Sequence, residues 1–221
     1  MDKTTVLEAM HQVRTDAPKR NFSQTVDLLI KFQNINPKKQ EQKVDVFVVL
    51  PQGIGRKASV CALVGDALYT DAKEFCDHTI VQDEFKALAG NAKALKRLAR
   101  TYDYFLAQAD IMPAIATTFG RFLGPKGKMP NPKAGAVVPA KGSTKPVVEK
   151  LQKTVRFIAK GTELAVRGPV GKEAMGDDAI AENVITVYNA LVTVLPEHER
   201  NIKQVLLKLT MSKAVIVGGK K

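Results

Sequence analysis

The hydrophobic positions of this chain follow two periods, and the change from one to the other divides it. Over residues 22–33 they alternate. Phe22, Gln24, Val26, Leu28, Ile30 and Phe32 share one face, and Ser23, Thr25, Asp27, Lys31 and Gln33 the other. That pattern predicts a long strand with one buried and one polar face. Parity puts Phe22 on the core face. Upstream, Thr5-Val-Leu-Glu8 has capping-box spacing and predicts a helix start, with Val6, Met10 and Val13 as its apolar stripe and Pro18 beyond its end. Residues 36–39, Asn-Pro-Lys-Lys, read as a basic turn. Residues 44–50 predict a second strand, and residues 51–57, PQGIGRK, break it.

From residue 58 the grammar changes. Residues 58–64 are almost continuously apolar, as a parallel strand covered on both faces would be. A helix is expected over 66–75 and another over 91–100, with short strands at 79–81, 102–107 and 136–138. Strands alternating with helices imply a parallel α/β unit. After residue 150 the half-buried strand pattern returns. Residues 155–159 and 163–167 flank a hairpin-like turn at 160–162, and 168–172, GPVGK, read as a loop. Asp177 and Asp178 are placed to cap a helix with Ile180, Val184, Val187, Leu191 and Val194 on one face, ended by Pro196. Residues 202–211 alternate again, with Gln204, Lys208 and Thr210 on one side and Val205, Leu207, Leu209 and Met211 on the other. Residues 214–217 predict a last short strand before the Gly-Gly-Lys-Lys end.

These patterns predict two domains. A split α+β domain takes residues 1–55 and 155–221 from both chain ends, and residues 56–154 form an inserted, Rossmann-like three-layer α/β domain. Two passages of chain would join them, a connection that permits a hinge. Composition fits this picture, since 221 residues at 45% hydrophobic suffice for one large or two small cores. No apolar run approaches the ~20 residues of a membrane span, and the first residues lack the apolar core of a signal peptide. The expectation is a cytoplasmic protein that does not engage a membrane. Cys61 and Cys76, with no further ligands near them in sequence, read as buried reduced thiols rather than a zinc site or disulfide.

Charge changes the picture more. The chain carries a formal +12, and residues 119–160 hold ten Lys/Arg against the single acid Glu149, a local +9. The stretch FGRFLGPKGKMPNPKAG at residues 119–135 sets Arg121, Lys126, Lys128 and Lys133 among glycines and prolines. A plain solvated loop is one reading. Pro125, Pro130 and Pro132 favour a second, a rigid loop placing cations at defined phosphates. The piece from residue 58 to this loop is slightly negative. A nucleoside-triphosphate loop needs G-x-x-x-x-G-K-S/T, and here Gly127-Lys128 is followed by Met129. Gly65 has no G-x-G-x-x-G around it. The polar strand face reads as ordinary solvent exposure or as an RNA platform, nearly uncharged, whose hydroxyls and amides meet 2′-hydroxyls and phosphates.

Catalytic chemistry has little support. Asp177-Asp178 reads as a helix cap, Asp27 and Asp45 as neighbours across strands without function, and His78 lacks a nucleophile motif. His11, His78 and His198 are scattered, which leaves little for a metal site. A nucleotide-using enzyme and a free-standing RNA chaperone are the competing readings.

Three stretches carry a resemblance: FSQTVD at 22–27, GRFLGPKGKMPNPK at 120–133 and LTMSK at 209–213. In their order and spacing the chain closely resembles the large-subunit ribosomal protein L-one family in its archaeal form. The resemblance implies the split domain with its insertion, no cofactor and no enzymatic activity. It implies binding to the large-subunit rRNA stalk near the tRNA exit site, help in releasing deacylated tRNA there, and translational repression through a stalk-like structure in the chain's own-operon mRNA. Carried over by motif, Phe22, Ser23, Thr25, Thr210, Met211 and Ser212 form the main RNA surface, with Gly171 and Lys172 nearby. Bacterial members have glycine where this chain has Ser212. Arg121, Lys126, Lys128 and Lys133 are added from the charge reading as a secondary phosphate-binding loop. The free protein is expected to be monomeric, and on the ribosome cytoplasmic.

Overall fold

The computed structural model describes residues 1–36, 44–140, 142–159 and 163–218. The basic turn at 36–39, apart from Asn36, lies outside the described residues, as do the turn at 160–162 and the end from residue 219. Contacts divide the chain into two compact units, Met1–Arg56 with Lys153–Lys221, and Lys57–Gln152.

The first unit is built on a four-stranded sheet in the order β10-β9-β1-β8. Strand β1 (Thr25–Phe32) lies between β8 (Ala165–Lys172) and β9 (Ile202–Leu209), antiparallel to both, and β10 (Val215–Gly218) closes the far edge. Val26, Leu28, Ile30 and Phe32 are buried, as the alternation requires. A separate pair joins β2 (Asp45–Val49) to β7 (Thr154–Ile158). Helix α7 (Asp177–Val194) and helix α1 (Lys3–Asp16) cover the core through Ile180, Val184, Val187 and Leu191 on one and Val6, Ala9, Met10 and Val13 on the other.

Several expectations are corrected. Helix α1 starts at Lys3, after Asp2 in extended backbone, so Thr5 and Glu8 lie inside its first turns and do not cap it. Asp177 and Asp178 also sit inside their helix, behind Gly176. There Asp177 accepts from Arg14 Nε at 2.7 Å and Asp178 pairs with Lys3. Val194 is half exposed at that helix's end. Strands β7 and β8 fall in different sheets, so residues 155–159 and 163–167 do not pair as a hairpin. Asp27 and Asp45 likewise belong to different sheets, and Asp45 takes two hydrogen bonds from Arg156.

The expected loop at 168–172 is strand. Leu28 faces Gly168, Asp27 faces Pro169 and Val26 faces Gly171, which leaves Val170 as the extra residue of a bulge. Pro169 is tolerated because β8 is an edge strand, where one side needs no donor. Asn183 of α7, fully buried, holds the bulge. Its Nδ2 donates to Val170 O and Gly53 O at 2.8 Å each, and its Oδ1 accepts from Gln52 N–H.

The second unit has a parallel sheet in the order β4-β3-β5-β6. Its strands are β3 (Val60–Val64), β4 (His78–Val81), β5 (Tyr104–Gln108) and β6 (Val137–Val138). Cys61, Leu63, Phe105 and Ala107 join the core of helices α3 (Glu84–Ala89), α4 (Ala92–Thr101) and α5 (Met112–Leu123). The intervening Val60, Ala62, Val64 and Leu106 are buried as well, so both sheet faces are covered. Helices α2 (Asp66–Phe75) and α6 (Lys145–Lys153) complete the unit. Cys61 is buried and Cys76 half-buried, and both are free thiols. Burial first, then Asp77 and Asp71, pushes Cys76 up to about 11. Among the described residues no helix is long and apolar enough to cross a membrane.

Replacing Asn183 with Ala strands the Val170 and Gly53 carbonyls in the first core and unpairs Gln52 N–H at its edge. The loss should be about 2–3 kcal/mol, read as a lower urea midpoint at unchanged m-value. An unchanged midpoint would mean that these groups find other partners.

Candidate nucleic-acid interface

The end of the first sheet where β1 begins is held by one buried side chain. Gln24, 1% exposed, uses all its polar groups. Its N–H donates to Glu173 Oε2 at 3.0 Å and its carbonyl accepts from Glu173 N–H. Its side-chain oxygen accepts from Met211 N–H at 3.1 Å, and its Nε2 donates to Pro18 O at 3.4 Å. Arg14 anchors the far side, donating to Glu173 O and Met175 O. Three chain segments therefore meet at fixed distances: 22–25, 172–175 and 209–212.

On the polar side, Thr25 and Lys172 face each other, and Lys172 Nζ donates to Thr25 Oγ1 at 2.9 Å. Thr25 N–H donates to Thr210 Oγ1 at 3.1 Å. Thr25, Lys172 and Thr210 thus form a hydrogen-bonded row. Ser212 closes the turn after β9, its Oγ accepting from Leu209 N–H at 2.8 Å and its N–H donating to Leu209 O. That turn, not the strand, carries Met211, so Met211 is 53% exposed instead of facing the core. Phe22 likewise precedes the strand, which begins at Thr25, and is 52% exposed. Both large apolar side chains stand clear of the sheet on the two segments that Gln24 joins. Phe22 and exposed Ser23 line an open cleft of about 460 Å³ with Arg20, Asn21, Glu173 and Ala174. Gly171 is buried. A Cβ there would come within 3.1 Å of Ile180 Cγ1, so it serves the approach of β8 to α7.

The polar face is not nearly uncharged. Register sets Lys208 opposite Asp27, and the Asp27 carboxyl also feels Arg167 and Lys172. Burial lifts this carboxyl above its ordinary value, against the downward pull of those three cations. Leu29 and Leu206 form a cross-strand apolar pair on the same face, with Arg167 beside Leu29.

In the second unit, residues 119–123 belong to α5, so the irregular stretch begins at Gly124. Arg121, Lys126 and Lys133 are exposed. Lys128 is half-buried and its Nζ donates to Tyr102 O at 2.7 Å, which pins the loop to the unit. Asn131 Oδ1 accepts from Lys133 N–H and Gly135 takes a left-handed φ of 74°, shaping the remainder. The strand order reverses direction at the β3/β5 crevice, where α/β folds take nucleotides. There Gly65 N–H donates to Gln108 Oε1 at 2.9 Å, and Gln108 Nε2 lies 3.4 Å from Asp110 Oδ2. A diphosphate would meet this amide together with Asp110 and the Asp66 that opens α2. Among the described residues no three His, Cys, Asp or Glu side chains are grouped to hold a metal.

Sequence reasoning missed Gln24 as a site residue. Its signal was a polar side chain at a core-face position of an alternating strand.

The sequence model of the ribosomal protein L1p/L10e family matches residues 12–213. The large ribosomal subunit protein uL1 of Pyrococcus abyssi is 36% identical over 218 residues, 99% of this chain and 97% of that protein. The protein of the same name from Thermococcus kodakarensis is 36% identical over 216 residues, 98% of each chain. That of Nanoarchaeum equitans is 38% identical over 206 residues, covering 91% and 94%.

The raised Asp27 carboxyl gives a pH test. The folded state holds this proton more tightly than the unfolded chain does, so ionised Asp27 disfavours folding at neutral pH, and acidification lifts that penalty. Asp27→Asn should melt higher than the parent at neutral pH. The gap should close as pH falls through the carboxylate range, and a gap that widens on acidification would contradict this.

Proposed function

The chain belongs to the ribosomal protein L1p/L10e family, in its archaeal form, and from that premise we propose that it is a structural, non-enzymatic component of the large ribosomal subunit that binds the rRNA stalk near the tRNA exit site. The carrying observation is the sheet end organised by Gln24. It offers two exposed apolar side chains, Phe22 and Met211, beside the fixed row of Thr25, Lys172 and Thr210. Apolar groups against sugar or base, with hydroxyls at set distances, suit a folded RNA recognised by shape.

In this reading residues 1–55 and 155–221 act as the primary RNA-binding domain and residues 56–154 as an inserted domain. Phe22, Ser23, Thr25, Lys172, Thr210 and Met211 touch RNA. Gly171 and Ser212 hold the backbone that presents them. Arg121, Lys126 and Lys133 supply secondary phosphate contacts, and Lys128 keeps their loop in place. On the ribosome the protein assists release of deacylated tRNA. It represses translation by binding a stalk-like element of its own-operon mRNA, and it is a cytoplasmic monomer when free.

The test is binding to a stalk fragment against an unrelated hairpin of equal length, across a salt series. The stalk should be strongly preferred, with the preference persisting at high salt. Thr210→Val should weaken stalk binding about fivefold, the worth of one hydrogen bond, with an unchanged salt slope. Lys126→Gln should lower the slope's magnitude by ~0.7–0.9. Equal binding to both RNAs that collapses with salt would replace this reading with a free-standing RNA chaperone.

A further inference from the structure

Helix α4 carries Lys93, Lys96, Arg97 and Arg100 and no acid. Their spacing of three and four residues aligns them in one stripe, ~10 Å long at ~1.5 Å rise per residue. All four are exposed, while Leu95 and Ala99 on the opposite side are buried. Among the described residues none of the four forms an ion pair. Glu84 of α3 shares a cleft wall with Arg97 without pairing with it. The helix bears this arrangement against its own stability. Like charges three and four apart repel, and Lys93 stands in the first turn, at the positive end of the helix dipole.

Helix α5 supplies a second, independent feature. Its Arg121 and Phe122 line a cleft of about 370 Å³ together with Ala92 and Lys96 of α4. Two cations and an aromatic ring in one small cleft match a nucleotide, with the ring for the base and the cations for its phosphates.

We propose that α4 and the Lys96–Arg121–Phe122 cleft form a second RNA surface, on the unit Lys57–Gln152. Phosphodiester backbone runs along the stripe and one unpaired base stacks on Phe122. An acidic protein segment would leave the aromatic cleft unused. A lipid surface would need apolar side chains projecting from the stripe, and it has none. The proposal rests on reading the chain as RNA-binding, but not on the sheet-end site.

The test uses the full chain, the stalk fragment with a single-stranded extension, and the unrelated hairpin, across a salt series. Lys96→Gln/Arg100→Gln should lower the magnitude of the salt slope by ~1.4–1.8, two phosphate contacts, at a melting temperature no lower than the wild type's, since the repulsion along α4 is relieved. Exposed Lys73 on α2 is the control, and Lys73→Gln should leave the slope alone. Phe122→Leu, which keeps an apolar side chain in the core, should weaken binding of the extended RNA about tenfold at constant slope. A double variant indistinguishable from the Lys73→Gln control on both RNAs overturns the proposal. So does a double variant that loses only binding to phosphatidylserine vesicles, which would assign the stripe to a membrane. If the wild type fails to prefer the stalk, the stalk reading falls. A reduced slope for the double variant on both RNAs would still uphold the stripe.

Discussion

The sheet end depends on the burial of one neutral amide. Gln24 stands where the alternation of β1 would otherwise place an apolar side chain, and it is fully bonded there. A buried amide without partners costs ~1–3 kcal/mol per unmade bond. Its position therefore fixes the chain around it, because Met211 N–H, Pro18 O and the Glu173 backbone and carboxylate must all stay within reach. Phe22, Ser23 and Thr25 on one side and Thr210 to Ser212 on the other inherit that geometry. A second buried amide, Asn183, does the same one layer deeper by holding the β8 bulge from which Gly171 and Lys172 follow.

Much of the secondary structure was legible because burial and period agree. Helix α2 runs from Asp66 to Phe75 as its pattern requires, and β3 is buried at every position, as an uninterrupted apolar run implies. Failures fell where a distant strand overrides local preference. The GPVGK stretch looks like a loop by composition, yet β1 supplies ladder partners and the edge position excuses Pro169. Strand ends were the other weakness. The alternation of residues 22–33 and 202–211 continues past the last paired residue, so parity assigned Phe22 and Met211 to the core. Pairing, which stops at Thr25 and Leu209, decides instead.

Charge was misread for a related reason. Between residues 57 and 118 seven bases face eight acids, and the near-zero sum hides that four of the bases lie on one helical stripe. Applying the 3.6-residue period to charge as well as to hydrophobicity would have exposed it. On the sheet face the error ran the other way. Reading β1 and β9 alone left the face almost neutral, and only cross-strand register brings Arg167, Lys172 and Lys208 around Asp27. Lys128 shows the limit of sequence at a basic loop. Nothing local distinguishes it from Lys126, yet one is bonded to Tyr102 O and the other is exposed.

The chain thus holds cations of two physical kinds. Those on the sheet face are oriented by the protein: Lys172 is bonded to Thr25 Oγ1, and Arg167 and Lys208 flank a half-buried carboxylate. Part of their field is spent internally, so what they offer a ligand is position. Those on α4 have no ion-pair partner among the described residues and present their charge to solvent. Such a field reaches about one Debye length, ~8 Å at physiological ionic strength. It raises the local concentration of any polyanion without telling one sequence from another. In the proposed function, discrimination between RNAs falls to the positioned set, where a ligand of the wrong shape strands a hydroxyl or leaves Phe22 and Met211 in water.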